Sequence, residues 1–380
     1  MKKKLFGLAT LAGTIIGVGI FGLPYVAAQS GFFVIVFYLL IIGAISSLVH
    51  LMFGEVALRT KERHRLPGYA EKYLGKWGKV VTVFSTILSL LGSLLAYIII
   101  GGEFLRGLFV NVFGGGEIIY TLIFFGAGAI LIYFGTRSIA GMEFYLIIVF
   151  FIAVLVMFGF GLKEIDSANL TTFFAENSFL PYGVILFALW GVSIVPEVKE
   201  IMKGQEKSLA SVILGGITLA AFTYFVFTLL ILGVTGENTS EEAIMGLQTV
   251  WGNRIVYFGF AFGILTTFTS MLTLGLTLKK VFWYDYKIPH FFSWALTVFI
   301  PLAMFFLGLK SFINIIAIIG AVMLAVEAIV VILIFMKAKT KGELKPAYDI
   351  KIPHWASYGL IIVLLIGIFY QIFSEIQKLG

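Results

Sequence analysis

Residues Gly13-Thr14-Ile15-Ile16-Gly17-Val18-Gly19-Ile20-Phe21-Gly22-Leu23-Pro24 lie within an apolar segment, behind Lys2, Lys3 and Lys4, that is long enough to cross a bilayer. Four glycines and a proline weaken a straight helix, because glycine adds backbone entropy to be lost and proline removes a ladder donor. In hydrocarbon an unpaired backbone group has no water to turn to. Broken backbone is therefore tolerated only where protein buries it or where it lines a cavity. A first span that cannot be one continuous helix is a candidate binding site.

The rest of the chain sets this segment in a membrane. Its residues are 60% hydrophobic and 12% charged, with a mean hydropathy of +1.04, whereas soluble domains are about 25% charged. Apolar spans read at 5–28, 32–58, 80–110, 118–135, 144–162, 179–197, 209–234, 255–278, 291–307, 312–336 and 355–373. Many reach the roughly 20 residues that span a hydrocarbon core. With the N-terminus cytoplasmic, 22 of the 27 basic residues fall on one side, leaving Arg106, Lys163, Arg254, Lys310 and Lys378 opposite. That asymmetry is the positive-inside signature and predicts an external C-terminus. It also accounts for the pI near 9.3 without nucleic acid, for which no soluble module is present. Cysteine is absent, so disulfides and thiolate chemistry are excluded. A cleaved signal peptide is disfavoured, because the apolar stretch runs past the usual length into the glycine-rich core and Pro24. Between Arg59 and Lys79 the pattern predicts a short amphipathic helix around residues 69–74.

The sixth span holds a second interruption, Phe187-Ala188-Leu189-Trp190-Gly191-Val192-Ser193-Ile194-Val195-Pro196-Glu197. Unwinding is expected between Gly191 and Pro196, in a span antiparallel to the first. Paired broken helices in two halves of opposite orientation point to an inverted-repeat secondary transporter. Their helix ends at the midplane offer N–H groups to a carboxylate and C=O groups to a cation.

The first-span motif, followed by Ala27-Ala28, Ser30-Gly31-Phe32, resembles the first-helix signature of amino acid permeases. The likeness is to the tryptophan/tyrosine permease and amino acid/auxin permease branch of the amino acid–polyamine–organocation superfamily. Phe187 to Glu197, and Gly54-Glu55 leading to Leu66-Pro67-Gly68-Tyr69, are similar to the same branch. The resemblance implies an all-α membrane protein of about eleven transmembrane helices, with a five-plus-five inverted repeat of the bacterial leucine transporter type. Residues 1–162 would form the first repeat, 163–178 an external loop and 179–336 the inverted repeat. A cytoplasmic loop, 337–353, would lead to the eleventh helix and external C-terminus at 354–380. It further implies cation-driven import of an amino acid through the cell membrane, without cofactor. Carried over by position, Gly17, Val18 and Gly19 would offer N–H groups to the substrate carboxylate. Carbonyls of Thr14, Ile15, Phe187 and Ala188 would meet its ammonium, and Tyr97, Trp190, Gly191 and Ser193 would line the side-chain pocket. These wall residues carry no charge, so the expected substrate is neutral, and aromatic or large and apolar.

Thr266, Thr269 and Ser270 share one face of the eighth span and could, with carbonyls of Gly13 and Ile16, hold a dehydrated Na⁺. The bland alternative is that these hydroxyls bond the carbonyl one turn back. Glu327, an acid deep in the tenth span, is a candidate proton carrier, since intramembrane carboxylates are costly. Buried polar packing is its ordinary role. H⁺ and Na⁺ both remain open as coupling ion, as do symport and exchange. Glu103 and Arg106 are expected to form an i,i+3 ion pair. Gly17 to Gly22 also matches the dinucleotide fingerprint, yet no strand precedes it and no acid follows at the required distance. Helix packing through small residues is the other reading of these glycines. The four histidines are scattered and show no metal-binding spacing. No catalytic constellation supports a membrane enzyme, and no charge ring supports a channel.

Overall fold

The structure, a computed structural model, describes residues 2–135 and 139–379. Arg137 of the basic tally lies outside them, as do the side chains of Arg254 and Lys378. Among the described residues the helices group into eleven successive spans, seven of them long and apolar enough to cross a membrane as they stand and an eighth as a bent pair. The first is interrupted, as α1 (Lys2–Ile15) and α2 (Gly19–Ser30), which are bent by 53°. The continuous spans of the first half are α3 (Phe32–Arg59), α5 (Lys76–Phe113), α6 (Glu117–Phe134) and α7 (Ile139–Gly161), with the short α4 (Leu66–Leu74) lying between α3 and α5. The second half starts with another interrupted span, α8 (Leu180–Ala188) and α9 (Val195–Ile201), and continues through α10 (Leu209–Thr235). After the single turn α11 (Gln248–Trp251) come α12 (Asn253–Lys280) and α13 (His290–Phe306). The tenth span comprises α14 (Phe312–Ile318) and α15 (Ala325–Lys341), joined by a π-wound stretch, Ile319–Leu324, and α16 (His354–Leu379) is the eleventh.

Both interruptions fall where helix ends need partners, but not where proline stands. In the first span only Ile16–Val18 leave the helix, and Pro24 sits inside α2. In the second, the helix ends at Ala188, before the expected point. A 3₁₀ turn at Val192–Ile194 follows, and Pro196 lies in the first turn of α9. Proline there starts a helix, because first-turn N–H groups have no intrahelical acceptor to lose. The expected unwinding up to Pro196 is thus corrected to residues 189–194.

The core forms around these breaks. α5 packs against α12 and α6, α3 against α10 and α15, α1 against α10, α7 and α9, and α2 against α8 and α10. In the most apolar window of α5, 67% of residues are buried, against 22% in α16, which places α16 at the periphery. Outward-facing apolar residues such as Phe33, Leu40, Phe134, Leu155 and Phe369 suit a lipid surface, where no hydrophobic penalty attaches to them. Glycine permits the closest approach. A Cβ on Gly320 would stand 1.9 Å from the Gly183 carbonyl oxygen, so α8 and the π-wound stretch touch backbone to backbone.

The expected Glu103–Arg106 ion pair is not formed: Glu103 Oε2 and Arg106 Nε have no hydrogen-bond partner. Helical i,i+3 spacing sets the Cβ separation at about 5–6 Å, but leaves each side chain to be drawn elsewhere by its burial.

At the basic end, the segment after α15 is strapped onto α3. Fully buried Glu55 accepts from Arg59 Nε at 2.7 Å and Lys339 Nζ at 2.8 Å through Oε1, and from the Ile350 N–H at 2.7 Å through Oε2. The Tyr348 hydroxyl donates to the Leu51 carbonyl at 2.7 Å, over Gly54, where a Cβ would collide with it. Glu343 joins Lys72 Nζ at 2.8 Å to the Lys61 N–H at 2.9 Å, and Asp349 pairs with Arg59 and Lys339. The Lys72 ammonium holds the Glu343 carboxyl below the usual carboxylate range, and Lys339 does the same for Asp349. Depressed carboxyl values contribute stability above the unfolded value, about 4, and lose it as pH falls through the folded one. Limited proteolysis of residues 342–353 should therefore be slow at pH 5–8 and accelerate below about pH 4. A cleavage rate flat across that range would show that these pairs do not hold the strap.

Candidate substrate and ion site

The breaks in the first and sixth spans cross at the centre of the bundle. A Cβ on Gly19 would lie 2.8 Å from Ala188 Cα, and one on Gly191 would lie 2.6 Å from Ile15 Cγ1. A larger residue at Gly19 would press on backbone of the sixth span, and one at Gly191 would require the Ile15 side chain to move. The Tyr97 hydroxyl of α5 stands 2.8 Å from where a Gly17 Cβ would be. Thus Ile15, Gly17, Gly19, Tyr97, Ala188 and Gly191, singled out in sequence, share one locality. Phe187 and Trp190 are half-buried on the same break, whereas Ser193 is exposed.

The hydrogen bonds at this crossing show which groups are already engaged. The Gly17 N–H donates to the Ile15 carbonyl at 2.8 Å, and the Trp190 N–H to that of Phe187 at 3.2 Å. Val18 and Gly19 stand at the start of α2, where N–H groups have no acceptor one turn back. Tyr224, fully buried on α10, has its hydroxyl 2.7 Å from the Ile15 carbonyl and 2.8 Å from that of Ala188. Its one proton is shared between the C-terminal ends of α1 and α8, where helix dipoles concentrate negative charge. From the other side, Ser46 Oγ of α3 donates to the Leu189 carbonyl at 2.9 Å, and the Gly191 N–H donates to His50 Nε2 at 3.0 Å.

The ion-coupling candidates separate into two places. Gly13, Ile16, Thr266, Thr269 and Ser270 line one cavity of about 60 Å³, together with Thr14, Tyr97 and Thr273. Water-sized occupants fit such a volume. Thr269 Oγ1 donates to the carbonyls of Leu265 at 3.0 Å and Thr266 at 3.1 Å. A hydroxyl that donates its hydrogen keeps its lone pairs, so back-bonding and cation ligation are compatible there. Glu327 is elsewhere and buried. Its Oε1 accepts from Thr86 Oγ1 at 2.8 Å and its Oε2 from Trp190 Nε1 at 2.9 Å. Among the described residues no cluster of three His, Cys, Asp or Glu could hold a metal ion.

Aromatic rings pack together on α2, just beyond the first break, and on its neighbours. Phe21 and Phe104 are 4.9 Å apart edge to face, with Phe227 at 6.0 Å from Phe21 and Phe260 at 6.2 Å from Phe104. Residues of the 163–178 loop lie over the end of α2: the Phe174 N–H donates to the Ser30 carbonyl at 3.3 Å and Asn177 Nδ2 to that of Gln29 at 3.1 Å.

Sequence reading missed Tyr224, Ser46, His50 and Thr86. Two of them carried a signal: a histidine in mid-span is costly in lipid, and a mid-span tyrosine is away from the interfacial belt that tyrosine favours. Tyr224→Phe should remove the hydroxyl that bonds both helix ends, leaving buried carbonyls under-satisfied. The expected cost is about 1–3 kcal/mol, read as a lower thermal midpoint of the purified protein. An unchanged midpoint would show that the carbonyls find other donors.

The chain is similar to known proteins in sequence and in fold. The "Tyrosine-specific transport system 1" of Haemophilus influenzae is 25% identical over 295 residues, 74% of this chain and 73% of that protein. The "Glutamine transporter 2" of Aliivibrio fischeri is 25% identical over 387 residues, 97% of this chain and 98% of that one. The crystal structure of MhsT in complex with L-phenylalanine superposes with a TM-score of 0.71 at 14% identity, covering 97% of this chain and 98% of that chain. Mhp1, a nucleobase-cation-symport-1 family transporter, gives 0.58 at 14% identity over 84% of this chain and 77% of that chain. The fold is thus the five-plus-five inverted repeat with discontinuous first and sixth spans. The tryptophan/tyrosine permease family matches residues 1–374, from the first basic turn into the last helix, and the chain belongs to that family of multi-pass membrane transporters, not of enzymes.

Proposed function

We propose that this protein imports a neutral amino acid, aromatic or large and apolar, across the cell membrane by cation-coupled symport with alternating access. Its N-terminus would be cytoplasmic and its C-terminus external. The observation that carries the reading is the meeting of two interrupted helices, at Gly19 against Ala188 and Ile15 against Gly191, with Tyr97 and Trp190 beside them. The substrate carboxylate would take the N–H groups of Val18 and Gly19, and that of Gly17 once released from Ile15. Its ammonium would lie against the carbonyls of Thr14, Ile15, Phe187 and Ala188, sharing those of Ile15 and Ala188 with Tyr224. Tyr97, Trp190, Gly191 and Ser193 would face the side chain. Support comes from relatives named for tyrosine and glutamine transport and from the phenylalanine-bound neighbour of the same fold.

For the coupling ion we favour H⁺ at Glu327. Its carboxylate holds the indole N–H of Trp190, so gaining a proton would alter a bond to the pocket wall itself. Na⁺ is the second reading, favoured by the cavity that Gly13, Ile16, Thr266, Thr269 and Ser270 share. Binding stabilises a native state by RT ln(1 + [L]/Kd), so a thermal-shift screen of the twenty amino acids should single out neutral, large side chains. Stabilisation by arginine or glutamate alone would refute the pocket. In proteoliposomes, an imposed pH gradient without Na⁺ should drive accumulation, and Glu327→Gln should abolish that drive while leaving counterflow exchange. If instead choline replacement of Na⁺ stops uptake and Thr269→Val raises the Na⁺ requirement, the second reading holds.

A further inference from the structure

His50 is fully buried on α3, and both its ring nitrogens are engaged in a way that fixes its state. Nδ1 lies 2.7 Å from the Ser46 carbonyl oxygen and 3.3 Å from Ser46 Oγ. A carbonyl only accepts, so Nδ1 carries the hydrogen. Nε2 lies 3.0 Å from the Gly191 nitrogen, whose N–H only donates, so Nε2 carries a lone pair. The imidazole in this geometry is the neutral Nδ1–H form. Ser46, one turn earlier, directs its own hydroxyl hydrogen at the Leu189 carbonyl, 2.9 Å away. The pair therefore supplies one acceptor and one donor to residues 189–191, where α8 has ended and the 3₁₀ turn has not begun.

We infer that Ser46 and His50 are positioning residues for transport, together holding the sixth-span break open from α3, with His50 acting as a fixed neutral acceptor and not as the coupling proton's carrier. The inference rests on the proposed substrate site, which it deepens. Adding a proton at Nε2 would turn the acceptor into a donor facing the Gly191 N–H, and the break would lose its anchor. Several titratable or charged groups surround this locality. On α15 is Glu327, reached through Trp190, whose ring lies 5.8 Å from that of His50. On α10 is Tyr224, on the Ala188 carbonyl. Later on α3 itself is Glu55, and from α9 come Lys199, on the Ala57 carbonyl, and Glu197, paired with Arg63. Of these, Glu327 is the acid that adjoins the break without having a basic partner in its hydrogen bonds, so it is left to carry the pH response.

Two readouts on the full-length protein test this. The first needs no substrate: hydrogen–deuterium exchange of the segment containing Gly191. His50→Leu should speed exchange there at least tenfold, whereas His50→Gln, whose amide oxygen can accept, should stay within about threefold of wild type. Unchanged exchange in His50→Leu overturns the inference. The second is uptake of labelled L-tyrosine as a function of pH. His50→Gln should keep the wild-type pH profile, and a shift of its acid limb overturns the assignment by making His50 a proton carrier. If His50→Leu fails to accumulate, Ser46→Ala removes the donor to Leu189 while keeping the backbone carbonyl that holds Nδ1. It should raise KM for L-tyrosine severalfold with little change in kcat, and a wild-type KM overturns the inference. Failure of the wild-type protein to take up L-tyrosine counts against the proposed substrate, while the exchange measurement still decides on His50 and Ser46.

Discussion

The bundle is organised by the need to satisfy backbone groups where two helices stop in the middle of a membrane protein. Unpaired N–H and C=O groups in a dry interior cost several kcal/mol each in hydrocarbon-like surroundings. Here they are met by side chains from two neighbouring spans. Tyr224 on α10 serves the carbonyls of Ile15 and Ala188, and Ser46 and His50 on α3 serve Leu189 and Gly191. Because α3 and α10 also pack on one another, both breaks are referred to a common support. Local geometry at the site is thereby tied to the placement of whole helices.

Close approach is the second requirement, and glycine and alanine meet it. Gly19 against Ala188 and Gly320 against Gly183 leave no room for a larger residue without displacing a span, and Gly191 leaves none unless the Ile15 side chain moves. In lipid, helices gain nothing by hiding apolar area from each other, so association depends on dispersion contacts and interhelical hydrogen bonds. Small residues shorten the first and allow the second. The glycines of the first span therefore have two roles that do not compete: Gly17 and Gly19 shape the break, and Gly19 and Gly22 let α2 lie against α8 and α14.

The polar groups of the interior are segregated in a way that bears on coupling. Neutral hydroxyls and carbonyls gather in the cavity between the end of α1, α5 and α12. The buried carboxylate of Glu327 lies elsewhere, held by Thr86 of α5 and by Trp190 of the sixth-span break. Both places touch residues of the proposed substrate site, Thr14 and Tyr97 in one case and Trp190 in the other. At the basic end of the molecule a third polar centre, built on Glu55, joins α3 to α15 and the 342–353 segment. The helix that anchors the sixth-span break is therefore itself tethered at the membrane surface.

Membrane insertion, the eleven spans, the two interruptions and the family were legible in the sequence. They follow from hydropathy, basic-residue asymmetry and glycine content, which act locally along the chain. Glu327 stood out for the same reason, as an acid in an apolar run. The position of the second break within its span was not legible, because Pro196 looks like an interruption in one dimension and proves to be a helix start once α9 has its direction. Tyr224, Ser46, His50 and Thr86 were passed over because their importance lies in what they face, across 36 to 241 residues of sequence. Local chemistry determines that a helix must break and leave groups to be paired. Which side chains arrive to pair them is decided only when distant spans pack, because no local pattern records a partner that far away.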